Sequence, residues 1–311
     1  MMKRHKDSKS FGVRAAKDFK KNYILYILLI PAVVYYIGFH YVPILGNLIA
    51  FKNFSPRLGI WGSEWIGIKN FVDFFKDPSF KIVVKNTLTI SMSNIIFSFP
   101  MPIILALLIN ELRNKYFIKT VQTITYLPHF VSIVVIAGLI RSFVATEGLI
   151  TQGLVFFGMK PMNLLNEAKF FVPIYVISDI WQTIGWGSIV YLAALTSIDM
   201  ELYEAAKIDG AGRFKQTLHI TLPCLFPTII IMLILRLGNV MNVGFEKVML
   251  LYNPLTYVKA DVISTYTYRV GMMGMDYGFA SAIDIFNSVI NCLLLVSANK
   301  LSKKMAGNSI Y

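Results

Sequence analysis

The chain has 311 residues, 56% of them hydrophobic and only 15% charged, where an ordinary soluble domain carries about 25% charged residues. The apolar residues come in repeated blocks long enough to cross a bilayer, which excludes a single soluble core and points to an α-helical membrane protein; no period-two alternation suggests a barrel. A net charge of +13 would suggest nucleic acid in a soluble protein, but no basic and aromatic residues interleave on a polar domain, so nucleic acid is not expected as a partner.

The first 22 residues carry Lys3, Arg4, Lys6, Lys9, Arg14, Lys17, Lys20 and Lys21, a basic tail that reads as cytoplasmic. No small-residue cleavage site follows, so the first apolar run is expected to be a retained anchor. Six apolar segments then stand out, at about 23–51, 83–110, 118–144, 171–197, 218–243 and 280–301. The first holds Pro31 and Pro43, the second is expected to be broken by Pro100 and Pro102, and the third has Pro128 near its start. Cys224 and Cys292 fall in the fifth and sixth segments without metal-ligand spacing and read as packing residues.

An even number of spans puts both termini on one side. The inside segments then carry Arg113, Lys115 and Lys119, next Lys207, Arg213 and Lys215, and last Lys300, Lys303 and Lys304. The outside loop 52–81 also holds lysines, so the charge at the termini carries most weight. The expected organisation is a cytoplasmic tail over 1–22, a six-span domain over 23–301 with a polar cytoplasmic helix at about 199–212, and a cytoplasmic tail over 302–311. The outside loops, roughly 52–82, 145–170 and 244–279, are long. The first holds Trp61, Trp65, Phe71, Phe74 and Phe75, which fit either an interfacial aromatic belt or a docking surface for an extracellular partner.

The polar segment between the fourth and fifth spans is the most distinctive. Asp199 is placed to cap a helix through Met200–Lys207, and acidic residues early in that helix suit its positive N-terminus. Ala205 and Ala206 leave a low surface for close packing by another protein, and Gly210 and Gly212 permit a sharp exit. Any tight loop between two spans needs a cap and a glycine. The joint occurrence of Glu204, Ala205, Ala206, Gly210, Ile220, Leu222 and Pro223 is more specific, and it resembles the coupling loop of ATP-binding-cassette importer permeases.

That resemblance implies an all-α membrane protein with six transmembrane helices in the maltose-permease-like fold. It implies that the loop inserts into a cleft of a separate ATPase, with Glu204 meeting a basic residue there and Asp209, Gly210 and Arg213 holding the turn. Other stretches extend it along the chain. Phe39–Gly46, Ala50-Phe51-Lys52, Trp65–Phe71 and Asn86-Thr87-Leu88 look like oligosaccharide importer permeases, and Val262–Tyr266 with Tyr268–Gly271 looks like the LplB-like branch. The partners so implied are a second homologous permease, forming a heterodimer, two ATPase subunits that hold MgATP, and an extracellular sugar-binding lipoprotein. No cofactor is expected on this chain, and the location implied is the bacterial cell membrane.

A translocation path needs polar residues inside the bundle. Asp179, Gln182, Thr183 and Trp186 recur at helical spacing on one face of the fourth span, where exposure to lipid would be costly. Arg236 and Asn239 share a face of the fifth, with Asn242 nearby, and Asp284, Asn287 and Asn291 share one of the sixth. Side-chain amides suit sugar hydroxyls, and aromatic faces suit their C–H surfaces. The resemblance places Asp179, Gln182, Thr183, Trp186, Arg236 and Asn239 at cavity positions. Two readings fit Arg236: an ion pair with Asp179 that sets helix packing, or an attractor of acidic sugars such as uronates.

The function expected is the permease subunit of an importer of complex oligosaccharides, working by alternating access and without catalysis of its own. The alternatives are an importer permease for a non-sugar solute and a secondary transporter. A membrane enzyme fits least, because the chain has no H-E-x-x-H, P-loop or nucleophile elbow.

Overall fold

The computed structural model describes residues 11–306; Lys3, Arg4, Lys6 and Lys9 of the basic tail and the last five residues lie outside them. Among the described residues the fold is α-helical apart from a two-residue antiparallel pair, β1 (Lys52–Asn53) with β2 (Glu64–Trp65). Helix α1 (Phe11–Tyr36) starts inside the basic segment and leads through further helical turns to Phe51. A short α2 (Lys69–Lys76) precedes the second span, α3 (Pro78–Ser93) and α4 (Pro100–Asn110). Then come α5 (Lys115–Tyr126), α6 (Ile133–Val144), α7 (Leu149–Phe156) and the long α8 (Ala168–Leu195). The polar helix α9 (Met200–Ile208) is followed by α10 (Leu222–Leu237), the short α11 (Phe245–Leu251) and α12 (Ile263–Tyr268), and finally α13 (Tyr277–Ala306).

Among the described residues, five helical stretches are long and apolar enough to cross a membrane: Asp18–Phe51, Pro78–Asn110, Ile133–Phe156, Arg213–Leu237 and Tyr277–Lys300. Helix α8 supplies the sixth span; its 28 residues suffice in length, and its polar face lowers its hydropathy.

The second segment is not broken at its prolines. It runs continuously from Pro78 to Asn110 through a π-turn at Asn94–Ser98. Similar π-turns at Ile37–Tyr41 and Thr217–Thr221 precede Pro43 and Pro223, so each turn ends two residues before a proline. Proline lacks the N–H that would bond the carbonyl four residues back, and its ring presses on that carbonyl. A π-turn moves the carbonyl aside and closes the ladder one residue further on: Val42 donates to Ile37, Phe99 to Asn94 and Leu222 to Thr217.

The third segment, expected as one span over 118–144, is two helices. Pro128 sits in a 3₁₀ turn (Leu127–Phe130), and Ser132 then caps α6 by accepting from the Val135 N–H at 3.4 Å. The most apolar stretch here is displaced toward the C-terminus, to Ile133–Phe156, and takes in part of the presumed outside loop. The two cysteines are also not interior packing residues, for Cys224 and Cys292 are both exposed on the surface of this chain.

The long loops are largely folded into the bundle. Phe74 is buried against Phe80, Tyr266, Phe279 and Phe286, while Trp61 and Trp65 stay exposed. Val262 and Ile263 are fully buried. Asn86 Nδ2 donates to the Asp261 carbonyl at 3.0 Å, and the Ile263 N–H donates to Thr87 Oγ1 at 3.0 Å. Asn86-Thr87 and Val262–Tyr266, two stretches singled out separately in the sequence, therefore hold one another. So do Ala50-Phe51-Lys52 and Trp65–Phe71: Phe51 stacks on Trp65 with ring centroids 5.6 Å apart, and Asn70 Nδ2 donates to the Ala50 carbonyl at 2.9 Å. Arg269 Nη2 lies 2.5 Å from Asp261 Oδ2. Tyr266 donates to Asp77 Oδ2 at 2.9 Å; burial first, and Asp77 second, push its hydroxyl up to about 12, so it remains a donor at neutral pH.

Helix α8 is the central element. A Cβ on Gly185 would overlap the Thr125 carbonyl of α5, and one on Gly187 would lie 2.9 Å from Pro102 Cγ of α4. Gly185→Val should therefore separate α8 from α5 and cost about 1–3 kcal/mol, seen as a lower melting temperature of the purified protein. Gly153→Ala, where a Cβ meets open space, should leave the melt unchanged.

Candidate functional site

Two features are organised beyond the needs of packing: a polar cavity inside the bundle, and the projecting helix α9.

The cavity is centred on Asp179 of α8. Ser98 Oγ of the second span donates to Asp179 Oδ2 at 2.8 Å. Arg236 Nη2 of α10 lies 3.8 Å from the same oxygen, and Lys247 Nζ of α11 lies 3.9 Å from Oδ1. The ion pair between Asp179 and Arg236, one of the two readings of Arg236, is thus present. It is loose, because the Arg236 side chain remains 46% exposed. The carboxylate itself is only 17% exposed.

Two spaces adjoin this centre. One, of about 230 Å³, is lined by Ser91, Asn94, Tyr175, Asp179, Arg236, Asn239 and Asn242 among others. The other, of about 480 Å³, is lined by Ser98, His129, Thr183, Trp186, Tyr191, Arg236 and Asn239 among others. Arg236 and Asn239 face both. The Trp186 ring stacks flat on His129, with centroids 4.5 Å apart, and Phe130 meets it edge-on. Asn94 is 6% exposed, and its Oδ1 has no hydrogen-bond partner. Together these residues supply a cation, amides, hydroxyls and an aromatic face.

Of the residues nominated from sequence, Asp179, Thr183, Trp186, Arg236, Asn239 and Asn242 line these spaces. Gln182 and Asn287 line neither. Asn287 Nδ2 donates to Asn242 Oδ1 at 2.8 Å, as does Asn291 Nδ2 at 3.2 Å, while Asn291 Oδ1 accepts from the Met241 N–H at 2.9 Å. These amides clasp α13 to the end of the fifth span. Sequence reasoning missed Asn94, Ser98, His129 and Lys247. The π-turn supplies a partial signal for the first two, since its extra residue rotates the helix face. Lys247 gave no signal, because a lysine in a presumed loop is unremarkable.

The segment carrying α9 folds as its sequence implies. Asp199 Oδ1 accepts from the Glu201 N–H at 3.0 Å, and α9 runs Met200–Ile208 with no buried residue. At its end the Gly210 N–H donates to the Lys207 carbonyl and the Ala211 N–H to the Ala206 carbonyl, with Gly210 at φ +76°. This is a Schellman stop, which favours glycine. Arg213 pairs with Glu111 at 3.7 Å, and Tyr203 shares a 2.9 Å hydroxyl contact with Thr221, in the π-turn below α10. Glu204 and Ala205 are exposed and Ala206 is half-buried. Ile208 and Phe214 are 88% and 81% exposed, an apolar surface unusual for a polar loop.

A six-span helical bundle with an internal polar cavity and one ordered helix projecting between its fourth and fifth spans defines the membrane component of a transporter. Residues 98–307 match the family described as "Binding-protein-dependent transport system inner membrane component", and the chain belongs to that family. It is 42% identical over 288 residues to the polygalacturonan/rhamnogalacturonan transport system permease protein YteP of Bacillus subtilis, covering 92% of this chain and 90% of that one. It is 41% identical over 301 residues to Protein LplB of the same organism, covering 96% and 95%. Among solved structures it superposes, with a TM-score of 0.88 and 44% identity, on a chain of a bacterial ABC transporter involved in the import of the acidic polysaccharide alginate, covering 94% of this chain and 99% of that one. The coupling-loop and LplB-like resemblances are therefore correct.

Gly210→Ala should strain the left-handed stop of α9 by about 1–2 kcal/mol. Hydrogen exchange of the backbone amides over 206–211 should then speed up. Gly212→Ala, at an ordinary φ of −67°, should leave exchange unchanged.

Proposed function

We propose that this chain is the permease subunit of an ATP-binding-cassette importer for oligosaccharides that carry carboxylates. The observation that carries this reading is Arg236: a half-exposed guanidinium inside a membrane bundle, facing two adjoining spaces lined with amides, hydroxyls and Trp186. An intramembrane cation open to a cavity marks a substrate path. The cargo named for the YteP relative and for the alginate transporter supports an acidic sugar. The substrate path in this reading centres on Asp179, Thr183, Trp186, Arg236, Asn239 and Asn242.

The family description supports a binding protein as the delivering partner; we take it to be an extracellular sugar-binding lipoprotein. A second homologous permease supplies the other half of the path, and two ATPase subunits hold MgATP. The charge at the termini supports a cytoplasmic location for both, and for α9 with them. Glu204, Ala205 and Ala206 then meet the ATPase, with Asp209, Gly210 and Arg213 shaping the turn. Closure of the ATPase pair moves α9, and the contact between Tyr203 and Thr221 passes the motion to α10 and Arg236. Alternating access follows from rocking of the spans about the cavity.

In cells carrying the whole transporter, Arg236→Gln should lower uptake of an oligogalacturonate by about tenfold, the weight of ~1.4 kcal/mol, while uptake of a neutral oligosaccharide that the system accepts is retained. Equal retention of both would remove the acidic-cargo reading. Glu204→Lys should abolish uptake of either with membrane insertion intact; full transport with normal ATPase stimulation would sink the docking role of α9.

A further inference from the structure

Lys247 is the one charged group at the cavity that the substrate path does not use. It stands on α11, a helix fixed in the core by Val248 and Leu251, which are 0% and 1% exposed. Its side chain is 5% exposed, and its buried ammonium makes no hydrogen bond. Its neighbours are the Asp179 carboxylate at 3.9 Å and the face of the Tyr175 ring, 4.9 Å away. A buried ammonium with empty donors is costly to keep. Its long-range charge, and not a hydrogen bond, is what it brings to this place.

Lys247 lines neither space, so it does not touch a substrate there. It approaches Asp179 Oδ1, whereas Arg236 approaches Oδ2 from the open side. Asp179 is the only acidic side chain among the residues lining the two spaces. Two cations and one carboxylate leave one positive charge. If Lys247 were neutral, Asp179 would cancel Arg236 and the site would have no charge to offer an anion.

We propose that Lys247 is a positioning residue for specificity: it neutralises Asp179 from the buried side, so that the exposed Arg236 keeps its positive charge for a substrate carboxylate. This rests on the acidic-cargo reading and deepens it. Asp179 holds Arg236 in place between turnovers, its loose contact gives way to a substrate carboxylate, and Lys247 keeps Asp179 compensated when Arg236 turns to the substrate. The charge balance then sets the preference for acidic over neutral sugar.

The test compares trigalacturonate with its fully methyl-esterified form, the same skeleton without charge. Dissociation constants are measured on the assembled, detergent-solubilised transporter, without binding protein. The wild type should bind the acid more tightly; absence of that preference overturns the acidic-cargo reading itself. Lys247→Met should reduce the ratio of the two affinities by about tenfold through the acid alone, and Lys247→Arg should keep it. Asp179→Asn combined with Lys247→Met should restore it, since Arg236 is then unopposed. With wild-type preference present, a Lys247→Met protein that keeps the ratio, or a double variant that fails to restore it, overturns the role of Lys247. Asp179→Asn alone probes the same balance without touching Lys247: it should keep or raise the ratio, and a fall would overturn the proposal even if Lys247→Met failed to assemble.

Discussion

The structure is organised around the compensation of one carboxylate. An ionised Asp179 among membrane helices is tolerable only when its charge is offset and its oxygens are occupied. Ser98 reaches it from the second span, Arg236 from the fifth and Lys247 from the helix that follows. Because each group comes from a different segment, satisfying this single residue sets the relative placement of four of them. The compensation is also unequal. The partner on the buried side is fixed in the core, and the partner on the open side is loosely held. That asymmetry leaves one side of the cluster open to the cavity.

The backbone obeys the same constraint. Lipid supplies no water for a carbonyl whose donor has been lost, so a proline inside a span must be accommodated within the helix. The π-turns before Pro43, Pro100 and Pro223 do this and keep their helices continuous. They also have positional consequences. The turn at Asn94–Ser98 carries two polar residues that line the cavity, and the turn at Thr217–Thr221 meets the projecting helix through Thr221. Elements demanded by proline chemistry thus lie at the two places where the transport reading needs polar contacts.

The projecting helix is shaped by local rules and attached by tertiary ones. Its cap at Asp199 and its stop at Gly210 follow from residue chemistry alone. Its attachment depends on Glu111, which lies before the third span, and on Thr221 below the fifth. These contacts tie the loop to the turns at the ends of the second and fifth spans.

What the sequence by itself determined is what depends on neighbours along the chain. The apolar segments, the face shared by Asp179, Thr183 and Trp186, the cap and glycine stop of the polar helix, and the motif of the coupling loop were all legible, because helical spacing and turn chemistry act over a few residues. The division of the third segment at Pro128 and Ser132 was legible only in part, since proline sometimes breaks a span and sometimes, as at Pro100, merely widens a turn. The tertiary structure alone decided which residues meet across long separations. Ser98 lies 81 residues from Asp179, and Lys247 reaches it only because the segment after the fifth span folds back into the bundle. Asn287 left the cavity lining for the same reason, drawn by Asn242 into a clasp between helices. A side chain's charge and periodicity are local properties, but the partner that compensates it is chosen by packing, and in a low-dielectric interior that choice determines whether a cation is cancelled or left free to bind.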